Sequence, residues 1–259
     1  MTNPIKEHLI RLLDQGVRED ERSFDHYRDV SVEYHISPKS SEGSARVKIG
    51  NTDVVAGIKV EIGEPYSDKP DEGSIIVSVE LLPMSSPDFE SGPPSIDAIE
   101  LSRVVDRGIR EGKALNFKKL CITPKEKIWT VLIDIYPLND SGNLFDAAAL
   151  AALAALQDAR FPAVEDNIIQ YGTPTDKKLP LEKLPISVTV HKIGKHILID
   201  PSTNEEAYSD ARLTVAVLEN GDICALQKGG DESISFEDVD AMTTIALTKA
   251  LELRKALKQ

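Results

Sequence analysis

The apolar positions of this chain fall into two periods, and the switches between them mark its elements. Over residues 4–15, Ile5, Leu9, Leu12 and Leu13 recur at helical spacing, with Asn3 and Pro4 as the start and Gly16 as the stop. After a polar stretch the period shortens to two, and residues 29–36, 44–49 and 52–62 read as strands, the last pair joined by a tight Gly50-Asn51 turn. A loop rich in Pro, Gly and Asp precedes a fourth strand over 74–82, which Pro83 ends.

Helical spacing returns after Pro93 and Pro94. Ser95 is a good N-cap, Asp97 sits in the first turn, and the helix runs to about Gly112. At about 100° per residue, Leu101, Val104, Val105 and Gly108 share a core side, while Glu100, Arg103, Arg107 and Arg110 share the opposite one. Two readings of that row stand. A guanidinium fork matches phosphate oxygens two at a time. Glu100 and Asp106, three and four residues ahead of Arg103 and Arg110, also fit ordinary surface ion pairs.

The clearest strand, 127–136, leads into an alanine-rich helix over 143–160, whose small side chains mark a buried central element. Residues 162–185, rich in proline and carrying Lys177-Lys178, read as a linker or long surface loop that divides the chain. Beyond it come four further strands, 186–192, 196–200, 212–218 and 222–227, then a helix over 236–257 opened by a Ser235/Asp238 capping box. Its buried stripe is Val239, Met242, Ala246, Ala250, Leu253 and Leu257. Four strands and a helix thus appear twice, which predicts an α+β fold of two lobes built on a duplicated unit.

Charge narrows the function. With 30 Lys+Arg against 43 Asp+Glu, the formal charge of −13 argues against wholesale attraction to nucleic acid or an anionic membrane, so any anion site is local. No apolar run reaches the roughly 20 residues of a membrane helix, and the charged first segment is unlike a signal sequence, so a cytoplasmic protein with no membrane partner is expected. Cys121 and Cys224 stand apart and read as reduced core thiols. His191 and His196 flank a hairpin turn at Gly194, and His8 lies among charged neighbours on the first helix. No metal or cofactor site follows from these residues.

Several short motifs, in order and spacing, resemble the RNase PH family. They are Gly16-Val17-Arg18-Glu19-Asp20-Glu21-Arg22 with Tyr27-Arg28, then Gly43-Ser44-Ala45-Arg46-Val47, Gly50-Asn51-Thr52 and Gly57-Ile58-Lys59-Val60-Glu61. Val79-Glu80 ahead of Pro83, and Leu144-Phe145-Asp146-Ala147 opening the alanine helix, belong to the same pattern. Within the family the chain is most similar to the non-catalytic RNase PH-type subunit of the archaeal exosome ring. The resemblance divides the chain into an N-terminal helix and arm (1–28), a first RNase PH-like lobe (29–161), a connecting segment (162–185) and a second lobe (186–259).

The resemblance implies a ring of three heterodimers with a catalytic RNase PH-type subunit, RNA-binding cap proteins, and single-stranded RNA threaded from its 3′ end toward phosphorolysis. Catalytic members carry an arginine pair just before the helix that starts here at Ser95, where this chain has Pro93-Pro94. They also carry two aspartates six residues apart, for which the best match here is Glu206 and Arg212; a shifted match brings in Asp210 as a lone carboxylate. A guanidinium in place of a metal-binding carboxylate inverts the local charge. By itself the stretch around Glu205, Glu206, Asp210 and Arg212 also reads as a solvated loop with ordinary ion pairs. The implied function is a non-catalytic ring subunit that structures its partner's active site and binds RNA through Arg103, Arg107 and Arg110. The alternative is an independently active phosphate-dependent 3′-to-5′ exoribonuclease.

Overall fold

The computed structural model describes residues 3–165 and 168–257. The chain opens with α1 (Pro4–Asp14), capped by the Asn3 side chain, which accepts from the Ile5 N–H. Four strands follow, β1 (Val30–Tyr34), β2 (Gly43–Ile49), β3 (Thr52–Gly63) and β4 (Ser74–Val79), and then α2 (Ile96–Glu111). β5 (Cys121–Thr123), β6 (Lys127–Asn139) and the alanine helix α3 (Leu144–Asp158) complete the first lobe. The first sheet runs β1-β2-β3-β6-β4, with β5 beside β6; β4 alone lies parallel to its neighbour and leaves its other edge to α2.

The second lobe is a four-stranded antiparallel sheet. Its strands are β9 (Ile186–Ile193), β10 (His196–Ile199), β11 (Ala211–Val217) and β12 (Ile223–Gly229), ordered β10-β9-β11-β12. The short α4 (Thr203–Ala207) sits between β10 and β11, and α5 (Phe236–Ala256) packs on β9 and β11. The Ser235/Asp238 capping box is formed, and Met242, Ala246, Ala250, Leu253 and Leu257 are buried while Val239 is half-buried.

The core explains the alanines. α3 lies between the sheets, against β2, β3 and β6 on one side and β9 on the other, so it has no solvent face, and Ala147 through Leu156 are all buried. Backbones approach closely there: a Cβ at Gly43 would come within 2.5 Å of Ala159. Both β-branched inner faces, Val47, Val54, Ile58, Val131, Ile133 and Ile135 on one sheet and Val188, Val190 and Val215 on the other, close over this helix.

The connecting segment departs from expectation. Instead of a loop it holds a hairpin, β7 (Arg160–Glu165) paired antiparallel with β8 (Ile168–Lys178). Pro162 pairs with Pro174, and the register shifts on either side of Pro162, because a two-stranded ribbon offers outward positions where a missing N–H leaves no ladder bond unmade. The fourth strand ends at Val79, short of Leu82, and both cysteines are half-buried rather than in the core.

Candidate functional site

The polar heart of the molecule lies where the N-terminal arm, the start of α3 and the second lobe meet. Arg18 is fully buried; its guanidinium pairs with buried Glu205 at 2.6 and 2.8 Å and donates to the carbonyls of Ile199 and Asp200. Buried Asp200 accepts from Arg22 at 2.8 Å, Arg28 at 2.6 and 2.9 Å and the Asn143 amide at 2.9 Å. Burial pushes the Asp200 carboxyl up, but the Arg28 hydrogen bonds and charge win and hold it below the usual range. Asn143 adopts left-handed φ, and its side chain serves Asp200 rather than capping α3.

Two carboxyl groups near this junction are shifted the other way. Asp146, fully enclosed, is pushed up to about 7 by burial, although the Tyr27 hydroxyl at 2.6 Å and the Thr189 N–H at 2.8 Å both donate to it. Glu206 is likewise raised to about 7 by burial, partly offset by the Asn143 N–H at 3.0 Å.

The stretch around Glu206 is therefore not a solvated loop. Ser202 and Glu205 form a capping box that starts α4, Glu205 is sealed against Arg18, and Asp210 pairs with Lys6 and accepts the Gly194 N–H. What overrode the sequence reading is the arm, which brings cations from the far end of the chain. Arg212 has its guanidinium carbon 4.6 Å from the centre of the Phe145 ring and pairs through Nη2 with Glu100 at 2.6 Å. Glu100, at ion-pair spacing from Arg103, reaches across to the second lobe instead.

These residues do not fit a divalent cation. One carboxylate is engaged by a backbone N–H, the other position carries a positive charge, and among the described residues no group of three or more His, Cys, Asp or Glu is arranged to hold a metal ion. Pro93 and Pro94 are exposed and help line a groove of about 640 Å³ whose charged walls are Glu80, Asp88, Glu90 and Asp97. Such a wall repels phosphate.

Arg103, Arg107 and Arg110 all reach solvent along α2 and, with the Ile75–Val77 edge of β4, line a second groove of about 410 Å³. They are not equivalent. Arg110 is clamped by Asp106 at 2.7 and 3.0 Å and donates to the Ile75 carbonyl, which is the surface ion pair of the plainer reading. Arg107 donates to the Gln227 amide oxygen of β12 at 2.9 Å, an acceptor the sequence did not point to. Arg103 has no hydrogen-bond or ion-pair partner among the described residues.

Two family models match the chain, 3′ exoribonuclease family domain 1 over residues 26–162 and domain 2 over residues 183–249. The chain belongs to this family, and its two sheets and their helices have the RNase PH-type α+β fold. A relative from Methanocella arvoryzae, Exosome complex component Rrp42, is 45% identical and aligns over 98% of this chain and 95% of its own length. A chain of the Archaeoglobus fulgidus exosome with RNA bound to the active site superposes with a TM-score of 0.91 at 42% identity, covering 98% of both chains. A chain of an archaeal exosome core superposes with a TM-score of 0.87 at 39% identity, over 98% of this chain and 96% of the other.

Proposed function

We propose that this chain is the non-catalytic RNase PH-type subunit of an archaeal exosome, alternating with the catalytic subunit in a ring of three heterodimers. The observation that carries the reading is Arg212, a cation paired with Glu100 at the position that best matches a metal-binding aspartate of catalytic members. Phosphorolysis needs cations around the attacking and scissile phosphates and carboxylates for a metal or a proton. Here the first place is walled by carboxylates and the second holds a guanidinium. Full-length similarity to the exosome components named above supports placing the chain in such a ring.

In this reading the chain supplies structure and RNA contact while its partner supplies the chemistry. Arg103 and Arg107 would hold phosphates of a single strand without reading its bases, which suits degradation of any sequence. RNA-binding cap proteins would complete the particle. Native mass measurement of the chain mixed with its catalytic partner tests the assembly: the proposal expects a closed particle of three heterodimers, and a partner that forms an equally active homohexamer without this chain would contradict it.

A further inference from the structure

Arg212 sits in a built cradle that spans both lobes. Its guanidinium packs over Phe145 from the start of α3, and the strand opposite offers Gly229, where a Cβ would lie 2.6 Å from the guanidinium carbon. A side chain at Gly229 would have to displace that guanidinium. The side chain is four-fifths covered, so its direction is fixed, and one amino group is aimed at Glu100 of α2.

Glu100 has two cations in reach. Along α2, Arg103 lies three residues on, the spacing at which an acidic and a basic side chain meet on a helix. The Glu100 carboxylate instead pairs with Arg212, while Arg103 remains exposed and without an acceptor among the described residues. A guanidinium held by an aromatic face and a close backbone outcompetes a freely rotating one, because its ordering cost has already been met by packing.

From this geometry we infer that Arg212 is a positioning residue for RNA contact: it draws Glu100 away from Arg103 and so keeps the Arg103 guanidinium open to a phosphate. The inference rests on the proposal that Arg103 touches RNA. It assigns a purpose to the charge inversion, since the group that removes a metal site is also the one that frees a phosphate contact on the neighbouring helix. Arg107, tied to Gln227 on the same side of α2, extends the row beyond Glu100's reach.

The test is RNA binding by the assembled ring, with single-stranded RNA titrated at several salt concentrations. Arg212→Met keeps the packing over Phe145 but releases Glu100 to pair with Arg103, so affinity should fall several-fold and the slope of log K against log salt should drop by about 0.7, the value of one single-strand phosphate contact. The double variant Arg212→Met/Glu100→Gln should recover both, since a neutral amide leaves Arg103 free. Loss without recovery in the double variant would mean that Arg212 acts only through folding or packing and would overturn the inference. A second measurement needs no RNA: in the isolated chain, the Arg103 Nε–H resonance should shift and exchange more slowly in Arg212→Met and return in the double variant. An unchanged resonance sinks the relay. If the relay is seen but Arg103→Ala leaves RNA binding untouched, the RNA path proposed above fails instead.

Discussion

Arg28 of the N-terminal arm closes on Asp200 of the second lobe through three hydrogen bonds, two from its guanidinium at 2.6 and 2.9 Å and one from its backbone N–H at 2.7 Å, while the guanidinium also donates to the carbonyls of Ser141 and Gly142. One guanidinium thus ties the arm, the turn before α3 and the end of β10 together, and the Asp200 side chain is wholly buried at the centre. Removing one member of such a pair leaves the other's charge unpaired in a low-dielectric site.

Asp200→Ala should therefore destabilise the chain by about 3–5 kcal/mol, the range for breaking a buried ion pair. Chemical denaturation of the isolated chain reads this directly. A change under about 1 kcal/mol would mean that Arg22 and Arg28 find water at no cost, as surface cations do.

A pH dependence follows from Asp146 and Glu206, both raised to about 7 by burial. A carboxyl whose folded pKa is raised holds its proton in the folded chain over a range where the unfolded chain has already released it. Its contribution to stability is full below about pH 4 and declines as the pH rises toward 7. Together the two groups should lower stability by on the order of a few kcal/mol between pH 4.5 and 7.5. Asp200 is shifted down, so its own contribution is lost only at lower pH, outside that window. Urea denaturation across this range should give a falling midpoint for the wild type and a flatter one for Asp146→Asn. Equal slopes in both would remove Asp146 as the source.

The arginines of α2 should separate in the assembled ring. Arg103→Ala and Arg107→Ala should each weaken binding of every single-stranded RNA tested and reduce the salt slope by about 0.7. Arg110→Ala should change little, because Asp106 already neutralises that guanidinium from both oxygens. The helix tolerates all three, since alanine is a better helix former and the buried side of Leu101, Val104 and Val105 is untouched. A larger effect at Arg110 than at Arg103 would reverse the assignment.

Where a feature depended on neighbours in sequence, the sequence carried it. Asn3, Ser95 and Ser235 cap the helices they were expected to cap, because a capping oxygen reaches backbone N–H groups two or three residues away. The alanine helix was legible as central for a similar reason: only a helix with no solvent face can be apolar all round. The β7–β8 hairpin was hidden by its own prolines, which break a central strand but not the outward positions of a ribbon.

The site was legible in part. The arginine row, the proline pair and the Glu206 and Arg212 positions could be picked out as residue types, but their partners lie far along the chain. Arg18 and Glu205 are 187 residues apart, and only the fold brings them to 2.6 Å. Glu100 is spaced to meet Arg103 along α2, yet Arg212 from the second lobe pairs with it. The Phe145 ring and Gly229, which fix Arg212, carry no charge pattern that marks them in advance.

The most direct test of the account is release of nucleoside diphosphates from single-stranded RNA in the presence of phosphate and magnesium. The isolated chain should release none, and a ring of wild-type chain with a partner whose two catalytic aspartates are changed to asparagine should be equally silent, while the ring with an intact partner is active. Phosphate-dependent release by the isolated chain, lost on Glu206→Gln, would contradict the account and make this chain an enzyme in its own right.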